Sequence, residues 1–102
     1  MIQMDEAVSD VTNVRLQLTA EPGCQVYVAG TFNNWDPKRH PLKDESETGQ
    51  YAASFFLADG KYEYKFVVNG IWCLDPDCQE WMANDFGSLN SVIRIQDGTR
   101  VT

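Results

Sequence analysis

"KFVVNGIWCL", residues 65–74, carries the most specific structural signal in the sequence. An Asn-Gly pair between two apolar runs is the strongest short-range signal of a β-hairpin with a two-residue type I′ turn. With Asn69 and Gly70 in the turn, Val67 faces Trp72 across the hairpin. The stretch therefore predicts two antiparallel strands in a fixed register.

Side chains alternate along a strand, so the hairpin has two different faces. One face is strongly apolar and is the predicted core side: Tyr62, Tyr64, Phe66, Val68 and Ile71. The other carries Lys65, Val67, Trp72 and Leu74, with Lys65 opposite Leu74 and diagonal to Trp72. A long side chain can reach its diagonal neighbour, so Lys65 either covers the Trp72 indole by packing and a cation–π contact or forms part of a binding site with it.

The rest of the chain continues the β pattern. Short alternating or apolar segments bounded by turn residues predict six strands, at 13–20, 25–30, 50–57, 61–68, 71–74 and 91–95. Two polar segments, 33–49 and 75–90, are predicted to be long loops. The fold class is therefore all-β, a small antiparallel immunoglobulin-like β-sandwich over residues 13–96, with a flexible acidic N-terminus at 1–12 and a short tail at 97–102.

Length and charge limit the function. The chain has 102 residues, enough for one domain, and its 15 acidic against 8 basic residues give a net charge of −7. Because phosphate contacts need Lys and Arg, nucleic acid and anionic membranes are disfavoured as partners. The first ten residues lack the basic and apolar regions of a secretory signal, so a cytoplasmic location is expected.

Nothing in the sequence marks a metal, cofactor or catalytic site. Cys24, Cys73 and Cys78 with one His40 make a weak zinc set, so structural free thiols are favoured, with a Cys73–Cys78 disulfide open on oxidation. Four carboxylates crowd the second long loop: Asp75, Asp77, Glu80 and Asp85. A glycosidase needs an acid and a base at a set separation, and no two of these are marked as such a pair. We therefore expect no enzyme, no cofactor and no metal.

"VAGTFNNWDP", residues 28–37, places a tryptophan in a polar turn. Gly30 is interpreted as permitting the sharp turn. Trp35 and Trp72 on the surface, with Asn and Lys side chains nearby, suit a sugar, because aromatic rings cover its apolar faces while polar groups reach its hydroxyl rim. The alternative is that Trp35 folds back over an edge of the core.

Three motifs carry a resemblance to a known family. "AGTFNNWDP" (29–37), "GKYEYKFVVNGIWCLDP" (60–76) and "NDFGSLNSVIRI" (84–95) occur in this order. They resemble the glycogen-binding modules of AMP-activated protein kinase β subunits and the related modules of starch branching and debranching enzymes, carbohydrate-binding module family 48. The resemblance spans roughly residues 14–95. It implies a small antiparallel β-sandwich that binds an α-1,4-linked glucan.

The resemblance also implies roles for five residues. Trp35 and Trp72 correspond to the two stacking platforms, and Lys65 to the lysine that binds sugar hydroxyls. Asn90 corresponds to the asparagine that hydrogen-bonds the sugar. Phe86 stands where the kinase subunits carry a leucine that presses against the curved glucan.

The predicted function is non-catalytic binding of glycogen, starch or maltooligosaccharides through surface aromatic platforms. The alternative is a β-sandwich scaffold that packs against a glucan-metabolising enzyme or a kinase without binding sugar. For Asn90 the alternative to a ligand contact is a hydrogen bond to its own backbone. Trp81 has no clean match, and it either extends the site or, as favoured because large aromatics usually bury, pins the loop to the core.

Overall fold

A computed structural model describes residues 11–102, and residues 1–10 of the predicted flexible N-terminus lie outside the described part. Nine strands make up the structure: β1 (Val11–Thr19), β2 (Val26–Gly30), β3 (His40–Leu42), β4 (Gln50–Ala58), β5 (Gly60–Val68), β6 (Ile71–Cys73), β7 (Trp81–Ala83), β8 (Leu89–Gln96) and β9 (Thr99–Arg100). The one helical segment in residues 11–102 is a 3-10 turn, Thr31–Asn33. No helix within this range is long and apolar enough to cross a membrane. The predicted all-β class is confirmed.

The strands form two antiparallel sheets. The smaller sheet contains only β1 and β4, paired over their whole length. The larger sheet has the order β3-β2-β5-β8-β7, with β6 also paired to β5 and β9 to β8. The two sheets pack face to face as the predicted immunoglobulin-like sandwich. The larger sheet therefore has an inner face toward the core and an outer face away from it.

The predicted hairpin is confirmed in turn and register. Asn69 and Gly70 have φ angles of 51° and 85°, the left-handed values that a type I′ turn requires at both positions. Val67 is paired with Trp72, as expected. The ladder stops before Leu74, because β6 ends at Cys73, so the predicted Lys65–Leu74 pair does not form.

The core lies between the two sheets. Alternate residues of β1, Val14, Leu16 and Leu18, are buried in it as the period-2 pattern predicts. The other sides of the core come from β2, β3, β4, β5 and β8: Val26, Val28, Leu42, Tyr51, Leu57, Tyr64, Phe66, Ile93 and Ile95.

Ile71 corrects the predicted core face. Tyr64 and Phe66 are fully buried and Tyr62 and Val68 partly so, but Ile71 is 69% exposed. The three-residue β6 lies at an edge, opposite a facing sheet of only two strands. Ile71 therefore points to the core side of the sheet, but residues 11–102 leave most of its side chain uncovered.

Three strands were missed in the sequence because their signals are weak. β3 contains Pro41, which a strand tolerates at a sheet edge. β7 occupies three residues inside the predicted second loop, and β9 lies in the predicted tail. The pair Asp97-Gly98, with φ angles of 54° and 77°, turns β8 into β9 by the same chemistry as the hairpin at residues 69–70.

Asp75 anchors the chain where it leaves β6. Its side chain is buried, its Oδ2 accepts a 2.6 Å hydrogen bond from the Tyr64 hydroxyl, and its backbone N–H donates to Ser91 Oγ at 3.0 Å. Burial and this carboxylate raise the pKa of the Tyr64 hydroxyl. Asp75 is thus a buried structural acid beneath the loop.

Candidate functional site

One open cleft on the outer face of the larger sheet brings together all five residues predicted to form the site. Its volume is about 620 Å³, and its walls carry Trp35, Lys65, Trp72, Phe86 and Asn90. These residues come from the 3-10 turn region, β5, β6, the β7–β8 loop and β8. The alternation along the hairpin explains part of this, because Lys65 and Trp72 share the outer face.

A strained turn presents Trp35 to the cleft. Asn34 and Trp35 have φ angles of 58° and 59°, a left-handed conformation that is rare for a bulky residue. The Trp35 amide donates to the carbonyl of Gly30 at 2.9 Å. Such strain persists only where the surroundings impose it, and it is concentrated at functional sites. Trp35 is partly buried but is not part of the hydrophobic core cluster, so it does not fold back into the core.

Buried Asn33 imposes this turn. Its Oδ1 accepts from the Gly30 amide at 2.9 Å, while its Nδ2 donates to the Val28 carbonyl at 3.0 Å. The same Nδ2 lies 2.9 Å from Nδ1 of His40, which ties the turn to β3. Because a buried amide with three partners has little freedom, the backbone that carries Trp35 is held firmly.

Gly30 is needed for space and not, as the sequence suggested, for an unusual backbone angle. Its φ of −166° is extended and open to any residue. A Cβ at this position would lie 2.5 Å from the backbone oxygen of Glu63 and 2.9 Å from Cβ of Tyr64. The absence of a side chain lets the turn approach β5 closely and brings Trp35 to the edge of the cleft.

Lys65 and Trp72 form the next part of the wall. Trp72 is 43% exposed, which leaves a large ring surface open to a ligand. Lys65 is half-buried, and its Nζ donates to Ser88 Oγ at 3.1 Å. The lysine therefore bridges from the sheet to the β7–β8 loop and places its ammonium donors within the cleft.

The β7–β8 loop, residues 84–88, holds Phe86 over the cleft. Phe86 is 92% exposed, the largest value among the exposed apolar side chains of residues 11–102. A single exposed apolar ring is common on a protein surface, so exposure alone does not identify a site. Because Phe86 lies on the cleft wall, a ligand bound in the cleft would cover its ring.

Asn90 lies at the base of the cleft, 6% exposed, as the second residue of β8. Its Oδ1 accepts from Asn84 Nδ2 and its Nδ2 donates to Glu63 Oε1, both at 3.0 Å. These side-chain partners replace the backbone hydrogen bond that was the alternative for this residue. The amide is consequently fixed in position on a strand and not on a mobile loop.

Trp81 is not buried against the core, contrary to the favoured interpretation of the sequence. It lies in β7, is 50% exposed, and does not line the cleft. It pairs with Ser91, which places it on the inner side of the larger sheet. Half of the indole is uncovered by residues 11–102, and Trp81 does not belong to the hydrophobic core cluster, so it does not pin the loop to the core.

The cysteines stay apart from the cleft. All three are free thiols, and residues 11–102 contain no group of three or more His, Cys, Asp or Glu side chains that could hold a metal ion. Burial and the nearby Asp75 carboxylate raise the pKa of the Cys73 thiol. A thiol that remains protonated is a poor nucleophile and a poor metal ligand.

Several wall residues were not predicted from the sequence: Thr31, Glu63, Ala83, Asn84, Asp85 and Ser88. Glu63 precedes Lys65 by two positions on β5, so the alternation that placed Lys65 on the outer face also identifies Glu63. The loop residues carry no such periodic signal, because their positions depend on how the loop closes.

The decisive comparison is with protein families. The family described as the glycogen recognition site of AMP-activated protein kinase matches residues 12–101. The chain belongs to this family. The resemblance found in the three sequence motifs is thereby confirmed over almost the whole chain. The family is a recognition site, and the chain is accordingly a non-catalytic carbohydrate-binding module.

Individual relatives agree. The chain is 28% identical over 95 residues to 5'-AMP-activated protein kinase subunit beta-2 of Mus musculus, covering 91% of this chain and 34% of that protein. It is 31% identical over 77 residues to the beta-2 subunit of Homo sapiens, covering 76% of this chain and 27% of that protein. It is 32% identical over 74 residues to the beta-1 subunit of Sus scrofa, covering 72% of this chain and 57% of that protein. The chain thus spans only part of the length of these relatives.

Proposed function

We propose that the cleft binds α-1,4-linked glucans, that is glycogen, starch or maltooligosaccharides. The observation that carries this proposal is the convergence of Trp35 and Trp72 with Lys65 and Asn90 in one open cleft. A scaffold that only packs against another protein does not need all four of these residues in one cleft.

The division of the cleft matches the division of a sugar. The indoles of Trp35 and Trp72 and the ring of Phe86 provide apolar surfaces for the C–H faces of glucose units. Lys65 and Asn90 provide donors and an acceptor for the hydroxyl rim. An α-1,4-linked chain curves, and an open cleft with rings on separate walls suits a curved ligand better than a flat surface does.

The expected affinity is weak to moderate. Each stacked ring contributes on the order of 1 kcal/mol beyond its area. A few such contacts, less the cost of association, correspond to a Kd in the micromolar to millimolar range. Because the ligand is neutral, no counterions are released and the affinity should hardly depend on salt.

The partners of this module are also a proposal. The relatives are named as subunits of a protein kinase, so we infer that a kinase assembly is one candidate partner, with a glucan-metabolising enzyme as the other. A cytoplasmic location remains a prediction from the sequence.

A titration followed by NMR tests the proposed site. The three tryptophan indole N–H resonances report on Trp35, Trp72 and Trp81 separately. During addition of maltoheptaose the resonances of Trp35 and Trp72 should shift in a saturable manner, while that of Trp81, outside the cleft, should stay. Saturable binding without any change at Trp35 and Trp72 would contradict this site.

A further inference from the structure

The side chain of Asn84 uses its full hydrogen-bonding capacity inside the protein. Its Nδ2 donates to Ser88 Oγ at 2.8 Å and to Asn90 Oδ1 at 3.0 Å. Its Oδ1 accepts from the backbone amides of Phe86 at 2.9 Å and Ser88 at 3.1 Å. A side-chain amide has two donor hydrogens and two acceptor lone pairs, so none remains for a ligand.

The two accepted bonds close the loop beneath Phe86. Asn84 Oδ1 caps the turn, and a backbone bond from the Asn84 amide to the Ser88 carbonyl at 2.9 Å completes it. Phe86 itself is 92% exposed and has no packing of its own to hold it. Its position over the cleft consequently depends on Asn84.

The two donated bonds reach the polar groups of the cleft. One goes to Ser88 Oγ, which also accepts from Lys65 Nζ at 3.1 Å. The other goes to the side-chain amide oxygen of Asn90, Oδ1, and Nδ2 of the same amide donates to the carboxylate of Glu63. A carboxylate only accepts, so Glu63 and Asn84 together decide which end of the Asn90 amide is nitrogen and which is oxygen.

Asn90, unlike Asn84, keeps unused hydrogen-bonding capacity in its side-chain amide. It uses one of its two donor hydrogens and one of its two acceptor lone pairs within the protein. One donor and one acceptor therefore remain, and they have a fixed direction. This is the requirement for meeting two sugar hydroxyls at set angles.

We propose that Asn84 is a positioning residue of the glucan site: it touches no ligand, and it holds Phe86, Ser88 and Asn90 in their binding geometry. This inference rests on the proposed glucan-binding function. A residue that acts through others should be as sensitive to substitution as a contact residue, because losing it disturbs three contacts at once.

The experiment compares three variants by calorimetric titration with maltoheptaose. Asn84→Ala removes all four hydrogen bonds, and Asn84→Asp keeps the acceptor for the Phe86 and Ser88 amides but removes the donors to Asn90 and Ser88. Asn13→Ala, an exposed asparagine on β1 away from the cleft, is the matched control. Both Asn84 variants should weaken binding about tenfold, as expected for one or two lost hydrogen bonds, while the control binds as wild type.

A second measurement separates positioning from general stability. Heteronuclear NOE values for the amides of residues 85–89 should fall in Asn84→Ala, and should stay near wild type in Asn84→Asp. All titrations are made well below each variant's Tm. If Asn84→Ala does not fold, the isosteric Asn84→Asp carries the test alone.

The outcomes are distinct. Wild-type affinity in a folded Asn84→Ala or Asn84→Asp overturns the role of Asn84 and leaves the proposed function standing. Failure of the wild-type protein to bind maltoheptaose overturns the proposed function and this inference with it. A tenfold loss in both variants with an unchanged control supports the role.

Discussion

Trp72 and Trp81 form a natural pair for testing the aromatic platform. The two side chains are 43% and 50% exposed, but only Trp72 lines the cleft. Replacing either with alanine removes the same group from a similarly exposed position. Trp72→Ala should therefore lose glucan affinity, and Trp81→Ala should not.

The size of the loss follows from the exposed area. With 43% of Trp72 exposed, a side chain of about 250 Å² offers roughly 110 Å² to a ligand. A glucose unit that covers about half of this surface removes about 55 Å² from water, which is about 1.4 kcal/mol. Adding about 0.5–1.5 kcal/mol for ring-specific contact gives about 2–3 kcal/mol in total. This corresponds to a Kd about 30- to 150-fold higher.

Calorimetric titration with maltoheptaose measures the affinity, and thermal unfolding measures the stability of both variants. Each tryptophan is about half-buried, so we expect both variants to lose a similar, modest amount of Tm. Equal loss of affinity in Trp72→Ala and Trp81→Ala would show that the effect comes from stability. Unchanged affinity in Trp72→Ala would refute stacking on this ring.

Three further substitutions test the support of the site. Gly30→Ala places a Cβ 2.5 Å from the Glu63 backbone oxygen, so it should destabilise the protein by about 1–3 kcal/mol and lower Tm, measured calorimetrically; an unchanged Tm would contradict the close packing. Burial and the Asp75 hydrogen bond raise the pKa of Tyr64 above its ordinary 10.0, so its contribution is complete below that pH and is lost as pH rises. In urea titrations at alkaline pH, the free energy of unfolding of Tyr64→Phe should fall less steeply with pH than that of wild type. Equal dependence on pH in the two proteins would contradict this role of the Tyr64 hydroxyl. Asn90→Ala should cost about 1 kcal/mol of maltoheptaose binding, about fivefold, while the protein still folds at a lower Tm; full affinity would remove Asn90 from the site.

The parts of the fold that the sequence predicts are those with local physical causes. Asn69-Gly70 determines its turn because few residues accept two consecutive left-handed angles. The alternation in β1 places Val14 and Leu16 in the core because one face of a two-sheet sandwich must be buried. Both signals lie within a few residues of what they determine.

What the sequence could not predict depends on distant parts of the chain. Ile71 and Trp81 occupy inner positions of the larger sheet, yet both are exposed; within residues 11–102 the facing sheet consists of β1 and β4 and is narrower than the sheet it covers. No local pattern encodes how far that second sheet extends. β9 was missed although Asp97-Gly98 is a hairpin signal, because the run after it is short and polar.

The same division applies to the site. Hairpin alternation indicated that Lys65 and Trp72 share a face, the polar turn at residues 28–37 singled out Trp35, and the family resemblance supplied Phe86 and Asn90. Asn84 is the first residue of the third sequence motif, but nothing in that motif indicates its role, since the role lies in four hydrogen bonds that exist only once the loop has closed. Residues that position others are in general harder to find in a sequence than residues that contact a ligand.

Calorimetric titration of the wild-type protein with maltoheptaose, an α-1,4-linked glucan, and with cellohexaose, a β-1,4-linked one, tests whether the protein binds α-glucans selectively. We expect saturable binding of maltoheptaose with a Kd between about 1 μM and 1 mM, nearly the same at low and high salt, and no measurable binding of cellohexaose. Equal binding of both oligosaccharides, binding of neither, or a steep loss of maltoheptaose affinity with salt would show that the cleft is not an α-glucan site.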